Sequence, residues 1–577
     1  MRKIAIIGIG PRGLYALEQF LNACSKEQKL KTFQLLLFNY SQYPGAGEVW
    51  NPEQPHTNWM NISERALRNL PGRTACELDN LKIPAFPSYR EWSAKKATNA
   101  TPEAMDTFPP RAKMGNYLHQ RFQSIIDILV TNKTAVFNKA KIQTLVNENN
   151  GFLISDVEKK IYSADEVLLT IGHQPIETSE QLQNWMAHTV QTKKALLFKK
   201  AYPVSKITDT EEIHNNSIIG LRGFGLATID VIRALTIGKG GQFKLINERT
   251  REVEFITTDM VPRKLVPFSL DGLPLAAKPI SSKVDEKFEP TASEIKSFGK
   301  EISKALSAET KTTDITFLTV AIARIASRVY EDILKEHGNA KTNREEIGDS
   351  IKSWLHNPKF EHSLIFSKTK SVSETISAFI AMATGTRVPS LDYCVGQVWR
   401  HCQPTLYKVF SHAQLKDEVI ADIIALDERI KRYSYGPPVE SMQQLLALQK
   451  VGILDLDFIN DPYIKLVASG WELQSNNTVI SCNVMVNCVL DGPKLLKVKA
   501  NLVKNLLQDD LIKPLHTALG IDTRTDGRVR SEENKTIPIA VLGRLSKGSV
   551  IGVDAILECF GPRTRDWAKA AVERMYA

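Results

Sequence analysis

Several absences narrow this sequence before any motif is read. No apolar stretch approaches the roughly 18–20 residues that a membrane-spanning helix needs; ISAFIAMATG at 376–385, the longest candidate, is about half that length. No run of five or six lysines and arginines occurs. The net charge of +10, from 74 basic and 64 acidic residues, is spread thinly along the chain. That balance argues against nucleic acid and suits a small anionic partner. The cysteines (Cys24, Cys76, Cys394, Cys402, Cys482, Cys488 and Cys559) are scattered, odd in number and free of any CxxC. They fit unpaired thiols in a reducing, cytoplasmic compartment better than a disulfide framework or a zinc site. H-E-x-x-H, Walker and G-x-S-x-G motifs are missing too, as are low-complexity tracts. Neither a metal site nor a hydrolytic nucleophile is expected, and no catalytic residue can be named. At 577 residues the chain is long enough for three or four domain-sized units.

What is present begins at once. MRKIAIIGIGPRGLYALEQFL opens with a continuous apolar run, Ile4-Ala5-Ile6-Ile7, as in a strand covered on both faces. Gly8, Gly10 and Gly13 come next, and then Leu14, Leu17 and Leu21 recur at helical spacing. A signal peptide fits poorly, because Pro11-Arg12 interrupts the apolar segment and no small-x-small cleavage site follows. A G-x-G-x-x-G between strand and helix points to a dinucleotide. The first glycine permits the turn, the second lets backbone approach a pyrophosphate, and the third lets helix and strand pack closely. Helix-start amides, including those of the Pro11-Arg12-Gly13 segment, then face the phosphates. The next strand, FQLLLFNYS, offers Asn39 where an acidic ribose contact is usual.

NSIIGLRGFGLATIDVIRAL repeats this grammar, with Gly220, Gly223 and Gly225 at the turn and Leu226, Ile229, Ile232 and Leu235 on one face of the following helix. Two such turns suggest two dinucleotides, as in enzymes that pass a hydride from NAD(P)H to a bound flavin. Between them, YSADEVLLTIGHQP reads as a strand over Val167–Thr170 closed by Gly172 and His173. Further on, Leu318, Ile322, Ile325, Val329 and Ile333 form a helical stripe, with Arg324 and Arg328 on the polar side. A cap over the cofactor cleft and a dimer face are both open readings for it.

The combination of GIGPRGL, YPGAGEVWNPEQPHTNWMNIS, FPPRAKMGNYL, ADEVLLTIGHQP and GFGLATIDVIRAL resembles the FAD/NAD(P)-binding protein family that includes FAD-dependent urate hydroxylase. It is more distantly similar to flavin N-hydroxylating monooxygenases. The match continues through WRHCQPTLYKVFSHAQLKDE and VMVNCVLDGP, whereas residues 280–390 carry little that aligns. The resemblance implies an α/β protein of two Rossmann-like doubly wound nucleotide-binding domains, one for FAD and one for NAD(P), plus a helical region. Expected boundaries are 1–175 for the first part of the FAD domain, 176–300 for the NAD(P) domain, 301–450 for the helical region and 451–577 for the returning part of the FAD domain. Gly8, Gly10 and Gly13 would hold FAD; Trp50, Met60 and Asn61 would lie near the flavin; Gly543 and Gly552 would form a closing turn. Arg111 and Tyr117 match a family motif.

Two departures stand out. Leu270 occupies the place of a basic residue in an SR-x-G-x-P segment, for which Arg263 and Lys264 are the nearby substitutes. Cys488-Val489-Leu490 replaces an alanine-threonine-glycine type of turn. NADH against NADPH is left open.

The leading function is therefore an FAD- and NAD(P)H-dependent oxidoreductase, a monooxygenase hydroxylating a small polar metabolite with O2 through a flavin peroxide. The alternatives are a flavin oxidoreductase without oxygen insertion and a non-catalytic FAD/NAD(P)-binding redox sensor or scaffold. Partners expected are the small-molecule substrate and O2, with neither nucleic acid nor membrane; homo-oligomerisation is left open.

Overall fold

A computed structural model describes residues 1–27, 32–79, 81–93, 101–148, 151–192, 194–307, 312–338, 343–490, 492–531 and 537–576. Two parallel sheets organise it. In the first, β1 (Arg2–Ile7) leads into α1 (Pro11–Cys24), followed by β2 (Phe33–Phe38), α2 (Arg111–Thr131), β3 (Ala135–Asn138) and β4 (Glu166–Leu169). The sheet order is completed from far away in sequence by β9 (Ile539–Val541), giving β9-β4-β1-β2-β3 with every neighbouring pair parallel. The uniform apolar run of β1 has a simple cause. Ile4 and Ile6 point into a core shared with α1, α2 and the C-terminal helix α11 (Pro562–Tyr576). Ala5 and Ile7 point into the core on the opposite face, shared with an antiparallel meander over 142–164 and with residues 495–545. The α1–α11 seam includes Phe20 and the fully buried Trp567, with ring centroids 5.9 Å apart.

The second sheet contains β5 (Leu196–Phe198), β6 (Ile218–Arg222), β7 (Lys264–Phe268) and β8 (Val484–Asn487), in the order β5-β8-β6-β7 and all parallel. A hairpin over Gln242–Ile256 stands apart from it, between the helix α3 (Leu226–Thr236) and β7. Residues 451–487, expected with the returning part of the first domain, join this second unit instead. The meander over 463–482 covers one face of the sheet through Trp471 and Leu473, and β8 is inserted between β5 and β6. The returning piece of the first unit begins after it. The expected single apolar face of α3 is also revised: Ala227 to Thr236 are all buried, because the helix is enclosed between the sheet and the helical region.

Among the described residues that region holds seven helices: α4 (Ala292–Ala305), α5 (Thr316–Glu336), α6 (Arg344–His356), α7 (Val372–Ala383), α8 (Leu391–Phe410), α9 (Asp417–Ser434) and α10 (Val439–Lys450). Their starts are set locally. Thr291 with Glu294, and Ser371 with Glu374, form reciprocal capping boxes that satisfy otherwise orphaned amides. The stripe on α5 is buried against the neighbouring helices, which excludes the dimer-face reading for it. Arg324 and Arg328, on its polar side, pair with Glu301 and Glu294 of α4.

Candidate functional site

At the carboxyl end of β1, Gly8 adopts φ +98°, and its amide donates to the Phe38 carbonyl at 2.9 Å. A side chain on Gly8 would place Cβ 2.7 Å from the Thr170 carbonyl oxygen, and one on Gly13 would place it 2.2 Å from the Gly8 carbonyl oxygen. Both glycines are therefore required by close approach, with Thr170 Oγ1 donating to the Gly8 carbonyl. Gly10 is the N-cap of α1 and lies against Gly47 of the facing loop. No side chain caps α1 and no acidic residue stands in its first turn, so its first amides and dipole are left for an anion. This cradle fits the pyrophosphate of a dinucleotide. Arg12 reaches across to Gly543, where an added Cβ would meet its Nη1 at 2.4 Å; the opening and closing turns thus meet.

Asn39 is a brace within this turn. Its Oδ1 accepts from the Ile9 amide at 3.2 Å, and its Nδ2 donates to both the carbonyl and the hydroxyl of Ser41. With its amide group so engaged, it ties the glycine turn to the end of β2. Trp50 contributes its carbonyl, which passes so close to Gly115 of α2 that a Cβ there would lie 1.7 Å away. Met60 is buried in the first core, its amide donating to the Pro109 carbonyl at 3.0 Å. Gly172, at φ +64°, is exposed with open space around its Cα. His173 follows at the surface of a cleft, where the surrounding protein, then Arg544 and Lys547, push its imidazole down to about 4.

The second turn has the same construction. Gly223, at φ +116°, donates to the Phe268 carbonyl at 2.7 Å, and Gly225 is the N-cap of α3 with neither a side-chain cap nor an acidic first turn. Cys488 and Val489 pack against Gly223. Arg263 and Lys264 do not stand near this turn: Lys264 opens β7, about 13 Å of strand from its carboxyl end, and pairs with Asp455 at 3.0 Å. Their proximity in sequence to Leu270 is undone by the extended chain between.

The two units are locked where α3 meets the first. Arg111, at the start of α2, pairs with Asp230 of α3 at 2.7 Å; Tyr202 donates to Asp230 at 2.5 Å and accepts from Arg111 at 2.9 Å. Arg233 stacks 3.7 Å from the ring centroid of Trp59. Arg111 and Tyr117 are structural here, since Tyr117 donates to the Pro87 carbonyl at 3.0 Å.

Beside the closing turn lies a cavity of about 440 Å³. It is lined by residues 61–66 of the first unit, Lys278, Pro279 and Asp285, the helix α8, and residues 550–563. Gly552 is in its wall and packs on the Tyr407 ring, so the helical region does cover this cleft. Asn61 joins the parts, donating to the Tyr435 carbonyl at 3.0 Å and accepting from Lys278 on its own carbonyl. Arg65 bridges Asp106 and Asp285 at 2.8 and 3.0 Å. Against the cost of its burial, Arg400 and then His401 hold Asp285 well below the usual carboxylate range. Burial, then Arg400, pushes the Lys278 amine down to about 7. Burial raises Glu558, which accepts from the Tyr435 hydroxyl at 2.7 Å. Sequence spacing held no signal for Lys278, Arg65 or Asp285, because the cavity is assembled from six separate stretches.

Residues 5–174 match the family model described as FAD-NAD(P)-binding. The chain is 23% identical to the nitrosuccinic acid synthase npaA of Aspergillus oryzae, over 90% of this chain and 83% of that one. It is 26% identical to an L-aspartate N-monooxygenase (nitrosuccinate-forming) of Streptomyces cremeus, over 50% of this chain and 45% of that one. Among solved structures, an ornithine N-hydroxylase of Kutzneria sp. 744 aligns over 100% of both chains with 11% identity and a TM-score of 0.46. Two strand–glycine turn–helix units stand on two parallel sheets, the first within the residues that match the FAD-NAD(P)-binding model, and the chain is an FAD- and NAD(P)H-dependent oxidoreductase.

Proposed function

We propose that the protein is a monooxygenase that uses FAD, NAD(P)H and O2 to hydroxylate the amine of a small acidic amino acid, with L-aspartate the first candidate. The observation that carries this reading is the cavity at the closing turn. Its walls hold Arg65, Arg400, Lys408 and Arg563 against Asp106 and Asp285, with Lys278 and Glu558 shifted toward their neutral forms by burial, an excess of positive charge suited to a dicarboxylate. The relatives named for aspartate and nitrosuccinate support the same substrate class.

FAD, held by the Gly8, Gly10 and Gly13 turn, supplies the redox and oxygen chemistry when bound. The rest falls to the chain. Arg65 and Arg400 are engaged by Asp106 and Asp285 and fix the shape of the wall, whereas Lys408, with Arg563 beside Asp566 at 3.2 Å, would meet substrate carboxylates. N-hydroxylation requires an amine with a free lone pair. Lys278, neutral over much of the range above pH 7, can accept the proton from the substrate ammonium. α8 contributes Arg400, Gln403, Pro404, Tyr407 and Lys408 to the cavity wall. The unpaired cysteines fit work in a reducing, cytoplasmic compartment.

The test supplies flavin-loaded protein with NADH or NADPH, 18O2 and L-aspartate, and follows label into product. Label on the aspartate nitrogen is expected. Consumption of O2 wholly as hydrogen peroxide with every acidic amino acid would overturn the reading. Turnover of urate instead would favour the hydroxylase named in the sequence resemblance.

A further inference from the structure

The second nucleotide turn has a distinctive border. In a doubly wound sheet the residues after the strand next to the glycine turn meet the adenosine ribose; an acidic side chain there takes the 2′-hydroxyl of NAD, and an arginine takes the 2′-phosphate of NADP. The strand in that position is β7, set beside β6 with Phe268 opposite Arg222. It lies some fifty residues beyond the turn rather than about twenty, because the hairpin over Gln242–Ile256 intervenes.

The chain leaves β7 through Ser269-Leu270-Asp271. Leu270 is 87% exposed. Asp271 keeps its carboxylate half exposed and pairs with Arg432 of α9, while its Oδ1 also accepts from the Leu273 amide at 3.2 Å. On the other side of β6, β8 is followed by Cys488 and the exposed pair Val489 and Leu490. The turn is thus flanked by apolar side chains and one carboxylate. The cations at this end of the sheet are Arg222, the last residue of β6, and two lysines beyond β5. Arg222 donates to Gln181 and Asn487, and Lys199 and Lys200 follow β5, two strands away from β6.

We propose that Asp271, with Leu270 beside it, makes the second turn selective for NADH over NADPH. The Asp271 carboxylate accepts the ribose hydroxyls, and Leu270 offers an apolar surface to the adenine. A 2′-phosphate would meet the same carboxylate, which also occupies Arg432, while Arg222 at the end of β6 is engaged by Gln181 and Asn487. This inference rests on the dinucleotide site and not on the substrate reading.

The experiment measures binding of NAD+ and NADP+ to the flavin-loaded full-length protein by titration calorimetry, for the native chain and for D271S and L270R. The native chain is expected to bind NAD+ at least about tenfold tighter than NADP+. D271S, which frees Arg432, and L270R, which adds a cation, should each shift that ratio toward NADP+ by about tenfold or more. Flavin absorbance should stay unchanged in both variants, since the first glycine turn lies on the other sheet, and Tm should stay unchanged in L270R, where the side chain is 87% exposed. Equal or tighter NADP+ binding by the native chain would overturn the proposal, as would ratios unmoved by both substitutions. Failure to bind either nucleotide would overturn the proposal together with the second site itself. A protein selective for NAD+ that makes no N-oxygenated product keeps this inference and loses only the proposed reaction.

Discussion

At the scale of single residues, close approach and local charge dominate. Gly13 has no room for a methyl group against the Gly8 carbonyl. Gly13→Ala should cost ~1–3 kcal/mol through overpacking and separate the turn from the pyrophosphate. The ratio of flavin to protein absorbance after purification should fall sharply, and retention of full flavin would contradict the assigned role. Lys278 carries a different prediction. Its folded value, about 7, lies below the ordinary 10.5, because burial, then Arg400 and Arg65, lower it against the opposing pull of Asp285 and Asp106. Between those values the unfolded chain binds the extra proton, so this group's contribution makes stability rise with pH from about 7 to about 10. Lys278→Met removes that term. Its urea midpoint relative to the native chain should be most favourable below pH 7 and lose this advantage as pH approaches 10; a pH-independent difference would show that the lysine is not depressed.

At the scale of elements, the join between α2 and α3 is a buried ion pair with a tyrosine bridging it. Arg111→Met strands Asp230, whose carboxyl is raised by burial even with its partners present. Removing one partner of a buried pair costs roughly 3–5 kcal/mol, to be read from denaturant unfolding. Asp230→Asn keeps an acceptor for Tyr202 but strands the arginine, and loss of comparable size is expected. Elements also show where sequence patterns stop being informative. The β1–turn–α1 unit was legible because strand, turn and helix are made of adjacent residues. The face of α3 was misjudged because periodicity reports one covered side, whereas this helix is covered on all sides. Arg263 and Lys264 looked available for a phosphate only because sequence proximity hides the length of a strand.

At the scale of the whole molecule, the first sheet is completed by residues more than three hundred positions beyond β4. Without β9 the edge of β4 is unpaired, and without α11 the seam with α1, including Phe20, is open to water. Residues 1–175 produced alone should therefore aggregate or bind no FAD, whereas the full chain should bind it; a soluble, flavin-binding fragment would contradict this dependence. Saturating FAD should also raise the stability of the full chain by mass action, by about 2.7 kcal/mol at a hundredfold excess over Kd, measurable as a shift in Tm.

Residue order alone was enough to specify the two phosphate turns, the α/β class and the helical character of the central region. Each depends on periodicity and on glycines within a few turns of chain, where neighbours in sequence are neighbours in space. It took the folded chain to place β8 in the second sheet, to make Asn39 the brace of a turn, and to bring Lys278 into one cavity with Arg65, Arg400 and Glu558. Those arrangements come from sheet order and from packing between distant segments. Burial then sets the charge state of side chains that look ordinary in the linear chain.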